Sequence, residues 1–380
     1  MDKEIIIIGD VEMGGGTLTD DFISDRALSE LLTEISKMEH PVDLVFNGDT
    51  FDFLKCPSIV NGRKHFPRHI TEEISVNKLG LIYNAHKAVF AALKEFVKKE
   101  GNHVYFVLGN HDPDLIYSGV QAEIKILLQN STQVHFPGFR YHCSHVYAEH
   151  GHQYDFLNRT NQNHQFLTYR GKTILNIPWV SFGLISRFME MKEQHPFMER
   201  VFPRPMLFAQ HKNLLKMITL RSLHYLVGSI FYYPFRYHYD PTYTFPRELL
   251  REFYRRYKNV HWDIDSVVDK FKKKKKKVLK KYAVSVLGHM HDKYLEEKSG
   301  RVIIHPGAWR DEYDLDIKTR ILVPRTKRYV QVLVNDDGNV EWKVVDYPLQ
   351  RSSISLDDVI KDEYSIIKIA AGEEGYKSNI

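Results

Sequence analysis

Seven residues of metal-binding type occupy the same kind of place along the chain, at or just beyond the end of a short apolar run. They are Asp10, Glu12, Asp49, Asn110, His150, His289 and His291. Ile5–Ile8 runs into Gly9-Asp10, Leu44–Phe46 into Asn47-Gly48-Asp49, and Val104–Leu108 into Gly109-Asn110-His111-Asp112. Val146–Ala148 leads to Glu149-His150-Gly151-His152, and Ala283–Leu287 to Gly288-His289-Met290-His291. Open α/β sheets build their sites at the carboxyl ends of strands, so these side chains could converge. Carboxylates, an amide and imidazoles together suit Mn(II), Fe or Zn(II) better than Mg(II) or Ca(II), which prefer shells of oxygen. One ion does not need seven ligands. Two ions about 3.5–4 Å apart, sharing a carboxylate, would use them all, and such a pair can activate water and clamp both oxygens of an in-line phosphoryl displacement.

The elements that must position these residues are legible from periodicity. Uniformly apolar runs this short read as strands buried on both faces, and Val302–Ile304, leading into His305-Pro306-Gly307, is another. Helical spacing over Ala27–Met38 and over Leu81–Val97 separates several of them, which predicts an α/β core. Beyond Val302, the runs Ile321–Val323, Tyr329–Val334 and Val340–Val345 predict antiparallel strands, with Asp336-Asp337-Gly338-Asn339 as a hairpin turn. Residues 156–262 differ: they are rich in aromatics, arginine, histidine and methionine and carry no strand followed by a catalytic turn. They read as a mainly helical cap inserted between two parts of one core, 1–155 and 263–350, with a polar tail over 351–380 that holds one amphipathic helix at Asp357–Ala371.

The series GDVE (Gly9–Glu12), GDTFD (Gly48–Asp52), GNHD (Gly109–Asp112), EHGH (Glu149–His152) and GHMH (Gly288–His291) resembles the ordered motifs of the calcineurin-like metallophosphoesterases. The resemblance implies a four-layer α/β/β/α sandwich of two mixed sheets. It implies one metal held by Asp10, Asp49 and His291, and a second by Asp49, Asn110, His150 and His289, with Asp49 bridging. His111 would face the phosphoryl group as an acid to the leaving oxygen or as a charge stabiliser, Asp52 would hold the His111 ring, and a hydroxide between the metals would be the nucleophile. Singly, any one of the 20 histidines is more often structural, and it is the order of the motifs that argues for ligation. Glu12 departs from the pattern, which usually has His there. As a ligand it would add negative charge and favour a harder ion, which makes Mn(II) the expected metal with Fe or Zn(II) as alternatives; otherwise it faces solvent and water takes its place. The segments Gly288–Trp309 and His150–Asp155 look nearest, loosely, to the branch that includes UDP-2,3-diacylglucosamine pyrophosphatases, although that branch has Arg where this chain has His111.

These readings predict hydrolysis of a phosphodiester or pyrophosphate bond in a nucleotide- or lipid-linked small molecule. A nuclease is the alternative, motivated by the lysine run Lys272–Lys277 and the basic insertion, and would bind nucleic acid with a steep salt dependence; a non-catalytic metal-binding scaffold is the second alternative. Asp112 is expected to cap the helix after GNHD, and His152 and His305 to hydrogen-bond the site from behind. The lysine run reads first as a solvated helix face, and the stretches Ile174–Ser186 and Leu226–Phe235 as core of the cap. The sharper alternative for both is peripheral contact with an anionic membrane. Arg187, Arg204, Arg221 and Arg236 lie among the aromatics and are candidates for phosphate contacts.

Composition narrows the rest. At 43% hydrophobic and 27% charged the chain is globular rather than disordered, and a net charge of +5 over 380 residues gives no strong overall field. Cys56 and Cys143 fit neither a disulfide framework nor a zinc-finger spacing. The chain opens straight into a strand, and no apolar stretch is long enough to span a bilayer, so the expectation is a cytoplasmic protein, peripheral at most to the inner face of the membrane. The oligomeric state has no signature.

Overall fold

The apolar runs become strands at almost the expected places because each is too short for a stable helix and is buried on both sides. Lys3–Ile8, Val42–Asn47 and His103–Val107 pair in parallel, with Ile8 opposite Phe46 and Asn47 opposite Val107. This register brings the ends carrying Asp10, Asp49 and Asn110 side by side. Val134–His135 extends the sheet at one edge, and the antiparallel hairpin Lys327–Val334 and Val340–Tyr347 extends it at the other. The expected turn at Asp336–Asn339 closes that hairpin, with the Gly338 amide donating to the Asn335 carbonyl. The second sheet has Val284–Leu287 at its centre, parallel to both Val146–Glu149 and Arg301–His305, with antiparallel edges at Tyr141–Cys143 and Tyr294–Lys298. Leu287 lies opposite Glu149, so the EHGH and GHMH turns leave the sheet together.

The computed structural model describes residues 2–183, 185, 188–203, 207, 212–244 and 264–376. Within it the two sheets share one apolar core, in which Ile5, Ile7 and Val45 of the first meet Val146, Val284 and Ile304 of the second. Helices Asp25–Ser36, Lys87–Phe96 and Ser118–Leu127 pack on the outer face of the first sheet, and Val267, Val268 and Phe271 of the Ile264–Lys274 helix on the outer face of the second. The fold is the mixed α/β arrangement expected.

Several details differ from the expectations. The helical spacing over Leu81–Val97 spans two helices, Glu72–Ala85 and Lys87–Phe96, broken at His86 (φ −115°, ψ 37°). The His86 ring is buried between Asp25 at 3.0 Å and Asp20 at 3.1 Å, and this anchoring accompanies the break. The amphipathic pattern over Asp357–Ala371 likewise divides at Asp362, into Leu356–Lys361 and Glu363–Glu373, whose Leu356, Val359 and Ile367 pack against Ile23, Tyr313 and Leu322. The described part of the insertion is mainly helical, as expected, with short strands beside the helices: a hairpin of Phe166–Tyr169 with Lys172–Leu175, and Val201–Phe202, which pairs in parallel with Tyr313–Asp316.

The lysine run is interrupted. One helix ends at Lys274, Lys275 stands outside helical geometry, and a second helix covers Lys276–Lys281. Lys273, Lys274, Lys276 and Lys277 are exposed, as a solvated face requires, while Lys272 pairs with Glu296 and Lys275 reaches to 3.8 Å from Glu149. Arg187 and Arg204 lie outside the described residues. Arg221 pairs with Glu190 at 3.5 Å and Arg236 sits over the Tyr243 ring, so neither is placed at the strand ends. No described helix is long and apolar enough to cross a membrane, and both cysteines are free thiols.

Candidate metal centre

Five of the seven candidate ligands sit in backbone conformations that side-chain-bearing residues rarely adopt. Asp10, Glu12, Asp49, His289 and His291 all have positive φ, between 49° and 83°. Each leaves its strand and reverses at once, which aims the side chain back across the strand ends, and such strain collects at functional sites. Backbone hydrogen bonds lock the turns together: the Glu12 amide donates to the Asp49 carbonyl (2.8 Å), Asp52 to Met13 (2.8 Å), Gly288 to His150 (2.8 Å), and Trp309 and Arg310 both to Asp10 (2.9 Å each). Glycine is needed where the turns touch. A Cβ on Gly109 would lie 2.0 Å from Asp49 Oδ1 and 2.4 Å from Asp49 N.

The side chains converge as a set of acceptors. His150 Nδ1 lies 3.1 Å from the Asn47 carbonyl, an acceptor that calls for a proton there, which leaves Nε2 as the lone-pair nitrogen. That Nε2 is 3.0 Å from Asp49 Oδ2 and 3.1 Å from Asn110 Oδ1. Asp49, His150 and His289 each bring a ligand atom within 4.8 Å of the others. His289 Nε2 faces Asp155 Oδ2 at 3.1 Å, which leaves Nδ1 to present inward. His291 Nδ1 donates to Glu312 Oε1 at 2.7 Å, which leaves Nε2 facing Asp10 and Glu12 oxygens at 3.5 Å each. Lone pairs that face one another without a hydrogen between them call for a cation. The donor set therefore fits a divalent metal, and the carboxylates behind His289 and His291 orient rings as they do at metal sites.

Protons serve the same need. Burial opposes a charge on His150, but Asp49 and Asp10 outweigh it and push its pKa up to about 9. Burial likewise opposes the charge on His291, and Glu312 with Asp10 pushes it up to about 10. Burial disfavours ionisation of Asp10, yet His150 and His291 hold its carboxyl below the usual range. A bound metal displaces such protons.

His111 and Asp52 form the expected pair, with Nδ1 3.0 Å from Oδ1, while the His111 amide donates to Asp49 Oδ1 at 2.7 Å. Burial lowers the His111 pKa, but Asp52 and Glu12 outweigh it and raise it to about 9. Glu12, Asp52 and His111 also cluster closely enough to suggest a second cation group. A cation is already there: Lys55 Nζ lies 2.9 Å from both Glu12 and Asp52.

Glu12 is 1% exposed, so it does not face solvent. Arg310 donates to both of its oxygens, at 3.0 and 2.9 Å, and Lys55 to one. Burial opposes its ionisation, but Arg310 and Lys55 hold it well below the usual carboxylate range. Its extra charge is thus offset locally, and the step from Glu12 to a harder ion loses its basis. Asp112 does not cap the helix that follows; its Oδ1 accepts from the Gly109 amide (2.6 Å) and its Oδ2 from the Thr50 amide (2.8 Å), tying two turns together. His305 Nε2 accepts from the Met290 amide at 3.1 Å and so holds the GHMH turn. His152 is buried beside the His150 and His289 rings, and burial lowers its pKa well below the usual value.

Sequence reasoning missed Asp155, Glu312, Lys55 and Arg310. It also missed Asp21, on which Lys55, Lys192, Arg200 and Arg310 all converge. Only Asp155 stood in a quoted motif; the others carry no local signal, since nothing in their neighbourhoods marks a buried ion pair.

The family model for calcineurin-like phosphoesterases matches residues 3–316. No curated protein matches the sequence. Among solved structures, a conserved uncharacterized protein of Streptococcus pneumoniae TIGR4, a predicted phosphoesterase, is 10% identical, with 91% of this chain and 98% of that one covered at a TM-score of 0.28. Vps29 of Entamoeba histolytica complexed with zinc is also 10% identical, over 91% and 99% of the two chains, at 0.31. A 5'-nucleotidase precursor of Thermus thermophilus is 8% identical, over 98% of this chain and 59% of that one, at 0.33. At such scores these likenesses carry no argument about this chain's site.

Proposed function

The chain belongs to the calcineurin-like phosphoesterase family and is a metal-dependent phosphoester hydrolase, and on that premise we propose that it cleaves a phosphodiester or pyrophosphate bond in a nucleotide- or lipid-linked small molecule. The observation that carries the reading is the meeting of Asp49, His150 and His289 ligand atoms within 4.8 Å, at the ends of strands from both sheets. Asp10, Asp49 and His291 would hold one ion and Asp49, Asn110, His150 and His289 the other, with Glu12 at the edge of the first. When bound, a divalent pair supplies the Lewis acidity that makes water a nucleophile at neutral pH and offsets charge on the phosphoryl oxygens. The mixed oxygen and imidazole set suits Mn(II), Fe and Zn(II) alike, and Mn(II) is the first to supply.

The chain's own part is positioning and proton transfer. Asp52 fixes His111 through Nδ1, so Nε2 is the atom that meets the substrate. Burial opposes a charge on the ring while Asp52 and Glu12 favour it, and the protonated ring would neutralise a phosphoryl oxygen or protonate the leaving oxygen. Lys55 and Arg310 hold Glu12, and Asp112 fixes the backbone of the second and third motif turns, so the ligand turns need little rearrangement.

The test is hydrolysis of bis-p-nitrophenyl phosphate by the purified protein with Mn(II), beside Asp49→Asn. We expect turnover that falls to background in the variant, followed by activity on natural diesters or pyrophosphates. A metal-loaded protein that turns over no diester, pyrophosphate or monoester would overturn the proposal.

A further inference from the structure

Lys55 lies behind the candidate site rather than in it. It is 2% exposed, so it does not itself meet a substrate. Its Nζ stands 2.8 Å from Asp21 Oδ2, 2.9 Å from Glu12 Oε2, 2.9 Å from Asp52 Oδ2 and 3.5 Å from Glu199 Oε2. Burial opposes a charge on this lysine, but Asp21, Asp52 and Glu12 outweigh it and hold its pKa well above the usual value.

These carboxylates do not depend on Lys55 equally. Glu12 also accepts from Arg310 with both oxygens. Asp21 also meets Lys192, Arg200 and Arg310, and Glu199 keeps Lys192 at 2.5 Å. Asp52 is different. Its Oδ1 accepts from the Lys55 backbone amide at 3.0 Å and faces His111 Nδ1 at 3.0 Å. Its Oδ2 is buried and takes no hydrogen bond among the described residues, and the cation against it is the Lys55 ammonium. Lys55 therefore bears on both oxygens of the carboxylate that holds His111.

An ionised carboxylate this deeply buried is costly unless its charge is met. Without the ammonium, Oδ2 would keep its charge and lose its partner, and the carboxylate would have to turn towards another donor. That turn would take Oδ1 out of line with His111 Nδ1. A displacement of about 1 Å at a reacting centre costs on the order of 100-fold in rate.

We propose that Lys55 is a positioning residue for departure of the leaving group, acting on His111 through Asp52. The role rests on the reading that His111 Nε2 meets the substrate. The proton on Nε2 passes to the leaving oxygen as the bond from that oxygen to phosphorus breaks, and Lys55 keeps the ring in line for the transfer. A phenolate needs that proton more than a p-nitrophenolate, which departs as a stabilised anion. A fault in the hold on His111 must therefore show most on the poorer leaving group.

The test is steady-state kinetics at saturating Mn(II) on two diesters that differ only in the leaving group, methyl p-nitrophenyl phosphate and methyl phenyl phosphate. Wild type, Lys55→Gln, Asp52→Asn and the double variant are compared. Lys55→Gln should lower kcat at least ~10-fold more on the phenyl ester than on the p-nitrophenyl ester, with KM moving less than kcat. The double variant should fall no more than about 3-fold below Asp52→Asn on either ester, because residues that act through one another are not additive. It removes one charge of each sign from the buried cluster, so this comparison holds even where Lys55→Gln alone does not fold. Equal losses on the two esters, or a double variant that falls further than this, would overturn the role of Lys55 while wild-type turnover leaves the proposed reaction standing. Wild-type protein that cleaves neither ester lacks the reaction that Lys55 is proposed to serve, and the role falls with it.

Discussion

Replacing Gly109 by alanine isolates the contribution of Asp49 placement, because it adds one methyl group and removes nothing. Gly109 is not in the left-handed region, so alanine meets no backbone penalty there. The obstacle is steric: the new Cβ would stand 2.4 Å from the Asp49 amide nitrogen and 2.0 Å from its Oδ1, where ordinary contact begins near 3.4 Å. Backbone must yield, since the nearest atoms include Asp49 N, and the Asp49 turn has to retreat by roughly 1 Å. A displacement of about 1 Å at a reacting centre costs on the order of 100-fold in rate, or ~2.7 kcal/mol of barrier. The expectation is therefore a fall of about 100-fold in kcat/KM for bis-p-nitrophenyl phosphate, accompanied by weaker Mn(II) retention in a chelator competition. Gly80→Ala is the control, since a Cβ there meets nothing within 4 Å, and it should leave both quantities unchanged. Gly109→Ala protein with wild-type metal affinity and rate would refute the claim that Asp49 is held by this close approach and that its position matters.

Two further outcomes follow from buried pairs. Glu312→Gln removes the charge that orients His291 through Nδ1, and should weaken divalent metal binding by about 10–100-fold in calorimetric titration while activity at saturating metal recovers most of its value. His86 is buried between Asp20 and Asp25; burial opposes its protonation, but Asp25 and Asp20 outweigh it and raise its pKa from 6.5 to about 10. Because the folded pKa lies above the unfolded one, this contribution is fully present below about pH 6.5 and is lost as pH rises towards 10, so denaturant unfolding should show stability declining across that window by a few kcal/mol. His86→Gln should be less stable at pH 6 and should flatten the profile; a variant with the wild-type slope would assign the pH dependence elsewhere.

The strands and the order of the ligands were legible because both are local. A run such as Ile5–Ile8 has no good alternative to a buried strand, and a reversal directly after it places the next polar residue at the strand end whatever the rest of the chain does. That is why the sequence pattern places Asp10, Asp49, Asn110, His150 and His289 at strand ends, while the pairing of His111 with Asp52, seen at 3.0 Å, is what the family resemblance implies and not what the pattern shows. Helix breaks were not legible, since the interruption at His86 accompanies contacts to Asp20 and Asp25, about sixty residues away, and not a proline or glycine.

What the tertiary structure decided was the electrostatic setting of the site and which apolar faces are covered. By sequence Glu12 adds negative charge to the site, and the fold offsets it with Arg310, 298 residues further on, which donates to both of its oxygens. Asp155 and Glu312 became partners of His289 and His291 only once the turns had folded, because a carboxylate's neighbours in space leave no periodic trace in sequence. The helix Lys212–Phe231 is the sharpest case. Its two faces are equally apolar, so composition could say that it would be buried but not which side; packing against Met191 and Trp179 used one face and left Leu223 and Phe231 to water. Local pattern fixes what a segment can bury, and only the assembled chain determines what it has left over.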